Sequence, residues 1–266
     1  MTRRPGRAAA ALAAALVLVG CQAPADAPDR HVGRPSHDAP GTAVDLLVPD
    51  PCADLVVIGA RGSTQDVERN LGVGTEVRVT VEQLARRLRA RSGTTVHVDP
   101  VRYDSSATPT AAGFLRNTAA GGALAVQRLS ALADRCPDSR FALVGFSQGA
   151  HVVHTAAMSV PPALVPRVVL VAMIADPSHD PDDPIARYSY AAEPTPGHGR
   201  LGPGPRIPDD LRRAAISFCV AGDAICNDRG APGSGQSPTH QHFYEKTSTA
   251  RITADRLDRV LRAQGV

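Results

Sequence analysis

Tryptophan is absent from these 266 residues, and four Tyr and five Phe leave aromatics at 3%. A surface that reads nucleic acid by stacking bases on aromatic rings is therefore not expected. Lysine is nearly absent as well: Lys246 is the only one, so positive charge comes from arginine. The formal charge of +3 has a local origin, because Arg3, Arg4 and Arg7 are the only charges in residues 1–20. Beyond them acid and base balance, and net charge points to no acidic partner. A second long apolar run is missing, which excludes a multi-pass membrane protein. With 43% hydrophobic residues the chain is too apolar for disorder throughout, and its length suits one ordinary domain plus a tail. No internal repeat is visible. The five cysteines are an odd number.

The three arginines precede an apolar run, Ala8–Gly20, and together they read as a secretory signal too short for a comfortable permanent span. The run ends Leu18-Val19-Gly20-Cys21, which resembles the lipobox of bacterial lipoproteins, where the Cys thiol carries a diacylglycerol. A plain signal peptide, cut a few residues later at an Ala-rich site, is the alternative. Thr2-Arg3-Arg4 is a weak match to a twin-arginine signal, since Pro5-Gly6 stands where an apolar residue belongs. After Cys21 the composition turns to Pro, Asp, Ala and Gly without periodicity, which suits a flexible tether better than a small subdomain. The expected organisation is a signal peptide over 1–20, lipidated Cys21 with its tether over 21–49, and one folded domain over 50–266. Such a chain is exported and held at the cell envelope by its lipid, or secreted if Cys21 is unmodified.

From Asp50 onward, short apolar runs rich in β-branched residues alternate with helix-patterned stretches. Strands are expected at Leu55–Ala60, Val96–Val101, Phe141–Gly145, Val168–Ile174 and Ile216–Val220. Helices are expected around Val77–Arg89, Gly121–Asp134, from Ser147 through Met158, and over Ile252–Leu261. Continuous apolar strands separated by helices argue for a parallel sheet covered on both faces, a three-layer α/β/α sandwich of about five strands. In such folds ligands sit at the carboxyl ends of the strands. Pro177–Pro208, with eight prolines and four glycines, shows neither period and reads as a long surface loop that could rim a site.

The strand ends carry the chemistry. After Phe141–Gly145 comes Gly145-Phe146-Ser147-Gln148-Gly149, a Gly-x-Ser-x-Gly between a strand and a helix. That arrangement makes a nucleophile elbow, in which small flanking residues permit a strained turn and expose the serine hydroxyl at a helix N-terminus. The plainer reading of Ser147 is a helix cap. A serine hydroxyl needs a base near neutral pH, and the base needs an orienting carboxylate. In α/β-hydrolase order the acid follows the serine and the histidine comes last. Asp223 is the first carboxylate after Ile216–Val220, and His240 and His242 are the histidines beyond the last strand. Cys219 and Cys226 flank Asp223, and a disulfide between them would restrain its loop by about 2–3 kcal/mol on chain-entropy grounds. Backbone N–H groups of Gln148 and of Ser63, after the first strand, are placed to hold a developing oxyanion. Asp180, Asp182 and Asp183 lack the Gly and distal Glu of a Ca²⁺ loop, and His240 with His242 makes a poor metal site without further ligands.

Together these pieces resemble the cutinase family of serine esterases. The matching motifs are Ala60-Arg61-Gly62-Ser63-Thr64, Cys136-Pro137, Gly145-Phe146-Ser147-Gln148-Gly149-Ala150, and Cys219-Val220-Ala221-Gly222-Asp223-Ala224-Ile225-Cys226. The resemblance runs from about Cys52 to the C-terminus. It implies a compact α/β hydrolase with a five-stranded parallel sheet and no full lid. Ser147 would be the nucleophile, Asp223 the acid, and Ser63 and Gln148 the oxyanion donors. Cys52 would pair with Cys136 and Cys219 with Cys226, which leaves Cys21 as the odd cysteine. Family members carry an aromatic, usually Tyr, three residues after the catalytic histidine. His240 has Phe243 at that position, which favours it over His242; an extended segment would put both on one side.

The resemblance implies an exported, monomeric serine esterase with neither metal nor cofactor, acting on short- to medium-chain acyl esters, cutin-like polyesters or lipids. Alternatives are an envelope lipase, phospholipase or thioesterase, an acetylxylan-type deacetylase, and a catalytically silent lipoprotein that only binds its lipid or polymer.

Overall fold

A computed structural model describes residues 46–192, 195–228 and 237–266, all within the compact unit Gly41–Val266. Cys21, the signal segment and most of the tether lie outside the described residues.

The expected strands form, β1 Leu55–Ala60 and β4 Val168–Ile174 with the expected ends and β2 Val96–Pro100 and β3 Arg140–Phe146 within one residue of them. The expected Ile216–Val220 forms as β6 Ala215–Phe218, and an unexpected strand, β5 Ala186–Tyr188, completes the sheet. All pairings are parallel, in the order β2-β1-β3-β4-β6-β5. The sheet therefore has six strands where five were expected. The extra strand, β5, sits inside the Pro-rich 177–208 segment. It is three residues long, lies at the sheet edge and has two of its three residues exposed, so it leaves neither the length nor the continuous apolar run by which a buried strand is recognised.

Why the central strands read as unbroken apolar runs is clear from where alternate residues point. Leu55 and Val57 of β1 join Ala142 and Val144 in a core under α1, Thr75–Ser92, and α5, Thr247–Ala263. Val56 and Ile58 join Phe141 and Leu143 in a second core under α2, Ala111–Arg135, and α3, Gln148–Ala157. Each layer has its own apolar face, so both sides of every central strand must be hydrophobic. Helix α2 starts ten residues before the expected Gly121 because Thr110 caps it, its Oγ1 accepting from the Gly113 N–H at 3.1 Å. A fifth helix, α4 Pro238–His242, forms where the periodicity predicts none.

The fold also begins earlier than residue 50. Leu46 and Leu47 pack on the α1/α5 core, and Val48 exchanges hydrogen bonds with Val96 and His97 on β2. Register then sets the site. Ala60 pairs with Gly145, Phe146 with Ile174, and Ile174 with Phe218, so the residues after β1, β3, β4 and β6 emerge along one edge.

Candidate active site

Ser147 joins β3 to α3 with φ 55° and ψ −118°, a left-handed backbone that a non-glycine residue holds only when its surroundings impose it. The flanking glycines make the turn possible by close approach. A Cβ on Gly149 would lie 2.1 Å from the Ala60 carbonyl oxygen, and one on Gly145 2.1 Å from that of Gly149. The Ser147 N–H donates to the Ile174 carbonyl at 2.9 Å, which ties the elbow to β4.

His240 Nε2 lies 2.9 Å from Ser147 Oγ, and its Nδ1 lies 3.0 Å from both oxygens of Asp223. An ionised carboxylate only accepts, so Nδ1 carries the proton and Nε2 accepts from the serine hydroxyl. Asp223 is fully buried, and its carboxylate also accepts from the Ile225 N–H and the Tyr244 hydroxyl, each at 2.9 Å. The Cys219–Cys226 disulfide closes the loop carrying Asp223, and Cys52–Cys136 closes the larger one, so both expected pairings are present.

His242 is not brought to the site. Residues 238–242 are helical and not extended, so positions two apart point to opposite sides. The side chain of His242 is exposed and pairs with Glu245 at 3.0 Å. The start of α4 follows local chemistry: Pro238 opens the helix, and Ser237 Oγ accepts from the His240 N–H while donating to the Gly222 carbonyl. Capping the helix thus also fixes His240 against the Asp223 loop.

On the other side of the serine, Gln148 provides the first N–H of α3, which has no partner within the helix. Ser63 follows β1, and its hydroxyl donates to Gln148 Oε1 at 2.7 Å, so the two expected oxyanion residues touch. Two cavities meet at Ser147 and His240. The larger, about 500 Å³, is walled by Pro109, Ala111, Phe114, Leu201 and Ile225 and is mostly apolar. The smaller, about 300 Å³, presents Thr64, Gln65, Thr75, Glu76 and Glu245. Pro177, Arg200 and Leu201 from the long loop line the larger cavity, so that loop does rim the site.

Residues that sequence reasoning passed over complete the surroundings. Tyr244 is buried, and burial together with the adjacent Asp223 pushes its phenol well above the ordinary range, so it stays a donor. Phe146 stacks on His240 at 5.0 Å. The scarce aromatics are concentrated here: Phe146, Tyr188, Tyr190, Phe218, Phe243 and Tyr244 make one contact chain behind the histidine. A buried ion pair lies between α3 and the residues after β4. His154 directs Nδ1 at Asp176 and Nε2 at the Pro205 carbonyl, both at 2.7 Å, so both nitrogens donate and the ring is cationic. Burial alone would lower its pKa, but Asp176 and these two bonds outweigh it and raise it to about 9. This pair ties the long loop to α3. Of the acidic trio, Asp180 faces Arg206 at 3.8 Å, the Asp182 N–H donates to Asp180, and Asp183 accepts from the Ile207 N–H. These are loop-forming contacts.

Comparison with known proteins gives one family. The sequence model of the cutinase family matches residues 51–254. Carboxylesterase Culp1 of Mycobacterium tuberculosis is 29% identical over 212 residues, 79% of this chain and 84% of that protein. Among solved structures, a cutinase-like protein from Cryptococcus sp. superposes with a TM-score of 0.61 at 21% identity, covering 79% of this chain and 96% of that one. The catalytic core of acetyl xylan esterase from Trichoderma reesei gives 0.56 at 20%, covering 77% and 99%.

Proposed function

The chain belongs to the cutinase family and is a serine esterase of the carboxylic-ester hydrolase class, and we propose that Ser147, His240 and Asp223 carry its reaction. The observation behind this reading is the unbroken chain of hydrogen bonds from Ser147 Oγ through His240 to buried Asp223, at the meeting point of two cavities. Ser147 Oγ attacks the ester carbonyl carbon while Nε2 of His240 takes its proton. The N–H groups of Ser63 and Gln148 hold the oxyanion, whose collapse expels the alkoxide; Nε2–H protonates it on leaving. Water then repeats the cycle on the acyl-enzyme and frees the acid. Asp223 holds the imidazole in the tautomer this requires and stabilises its cationic form.

The acyl group occupies the larger cavity, where Phe114, Leu201 and Ile225 suit a short or medium alkyl chain. The alcohol portion leaves through the smaller, polar one. The protein is exported, in keeping with its two disulfides, and is held at the cell envelope by a lipid on Cys21. Intact mass of the membrane-bound protein checks the anchor: a mature chain starting at Cys21 with diacylglycerol supports it, and unmodified Cys21 rejects it.

The catalytic assignment is tested with a fluorophosphonate and p-nitrophenyl butyrate. The folded protein is expected to label at Ser147 and turn over the ester. Ser147→Ala and His240→Gln should lose at least about a thousandfold in kcat, and His242→Gln no more than a few-fold. Failure of folded wild-type protein to label, or near-normal turnover by Ser147→Ala, overturns the reading.

A further inference from the structure

The Ser63 amide projects from a loop, and loops do not hold an N–H to a few tenths of an ångström unless something fixes them. Here the neighbouring amides are both committed. The Gly62 N–H donates to Gln65 Oε1 at 2.7 Å, and the Thr64 N–H to the Ser105 carbonyl at 2.7 Å. Gln65 in turn donates from Nε2 to Glu76 Oε2 at 2.7 Å, and its carbonyl accepts from Arg61 Nε at 2.9 Å. The remaining guanidinium N–H groups of Arg61 reach the carbonyls of Val101 and Tyr103, and the Tyr103 hydroxyl returns to the Arg61 carbonyl at 2.6 Å.

One member of this network sets its polarity. A carboxamide can face Gly62 with its oxygen or its nitrogen, and only the oxygen accepts the Gly62 N–H. The other end then has to meet an acceptor, which Glu76 supplies. Glu76 is buried in the first turn of α1, where a helix N-terminus favours negative charge. Burial pushes its carboxyl upward, and the Gln65 bond opposes this. The titratable groups facing it are Glu245 and His240, with Arg61 beyond the Gln65 backbone. Were Glu76 to donate instead, Gln65 would turn and set its nitrogen against the Gly62 N–H.

We propose that Glu76 and Gln65 are positioning residues that aim the Ser63 amide, through Gly62, at the oxyanion. This rests on Ser147 as nucleophile and Ser63 as oxyanion donor, and extends that reading to two residues that need not bond to the reacting atoms.

The test is an exchange of acid and amide in the full chain, read as kcat and KM for p-nitrophenyl butyrate across pH 5.5–8.5. Glu76→Leu should lower kcat about tenfold or more, since a misaimed donor costs the transition state, while any change in KM reports the side chain's own place in the smaller cavity. Gln65→Glu sets two carboxyls at hydrogen-bond distance, which is favourable only while they share a proton. Its kcat relative to wild type should therefore fall progressively as pH rises. Gln65→Glu combined with Glu76→Gln keeps both hydrogen bonds with the acid and amide exchanged, and should restore kcat to within about threefold at every pH. A purely structural role would follow thermal stability and would not produce that pH dependence. Normal kcat in folded Glu76→Leu, or a double variant no better than Gln65→Glu alone, overturns the inference. If Glu76→Leu does not fold, the exchange pair decides by itself. Ser147→Ala separates the two readings: turnover surviving there removes the nucleophile assignment, whereas loss there with normal Glu76→Leu removes only the positioning role.

Discussion

Tyr244→Phe is the sharpest probe of how the acid is held. The substitution keeps the ring, and with it the packing against Phe146 at 5.6 Å, and removes one oxygen. That oxygen donates to Asp223 Oδ2 at 2.9 Å and accepts from the Val220 N–H at 3.0 Å, in a fully buried position. Losing the bond to a charged acceptor costs about 1.5–3 kcal/mol, and stranding the Val220 N–H costs about 1–3 kcal/mol. The two share an atom and do not add fully, so the net is about 2–4 kcal/mol. For a domain of this size each kcal/mol lowers Tm by about 2–4 °C, which places the expected fall at about 5–15 °C. Catalysis should suffer less. Asp223 keeps the Ile225 N–H and His240, so the triad survives with one support fewer, and kcat should drop about three- to thirtyfold. KM should hold, because Tyr244 lines neither cavity at the serine. The assay pairs calorimetry with steady-state hydrolysis of a soluble ester. A Tm within 2 °C of wild type together with kcat within about twofold would refute the reasoning, and a lowered Tm with unchanged kcat would reduce Tyr244 to packing.

The two disulfides should separate stability from activity. Removing Cys52–Cys136, whose partners are 84 residues apart, should cost about 4–5 kcal/mol by chain entropy and leave kcat nearly unchanged. Removing Cys219–Cys226, only 7 apart, should cost about 2–3 kcal/mol and reduce kcat further, because Asp223 lies inside that loop. Denaturant melts and kinetics of the two Cys→Ala pairs check this, and the opposite ranking in kcat counts against it. The His154–Asp176 pair gives a pH prediction. A histidine whose pKa is raised to about 9 on folding adds stability that is complete below its unfolded value near 6.5 and lost as pH climbs through 9. Tm should therefore decline from pH 6.5 to 9, and His154→Leu, destabilised by about 3–5 kcal/mol at pH 6.5, should show a flatter profile. A parallel decline in both proteins would point to other groups.

Much of the fold was legible because its signals are local. Strand β1 is Leu-Val-Val-Ile-Gly-Ala and can only be buried on both faces, and Gly-x-Ser-x-Gly between strand and helix leaves few conformations for Ser147. Asp223 could be found by its order after a strand and between two cysteines. What stayed hidden depends on contacts far apart in sequence. Strand β5 has three residues and forms only because β6 offers an edge. The choice between His240 and His242 turned on whether 238–242 is extended or helical, and the deciding signal was Ser237-Pro238, a helix start of only two residues. Tyr244 was visible as an aromatic beside the histidines, but the spacing rule pointed to Phe243, and only the helical turn of α4 brings residue 244 to Asp223. Gln65 and Glu76 are 11 positions apart, and nothing in either residue type marks them as partners.

The site divides into two halves held by different physics. The base half is held by covalent and sequence-near links: the Cys219–Cys226 closure, the Ser237 cap that reaches Gly222, and Tyr244 folding back on Asp223. The oxyanion half is held by a largely buried polar network, with Arg61, Gln65, Glu76 and Tyr103 drawn from the turn after β1, from α1 and from the turn after β2. Polar networks in low dielectric are strong when complete and fail together when one member is missing. Each link of the base half, by contrast, can be cut while the others still restrain the loop. Graded losses are therefore expected from variants around Asp223 and His240. Steep, mutually dependent losses are expected around Ser63, and double-mutant coupling among Arg61, Gln65 and Glu76 should exceed any coupling between either half and the other.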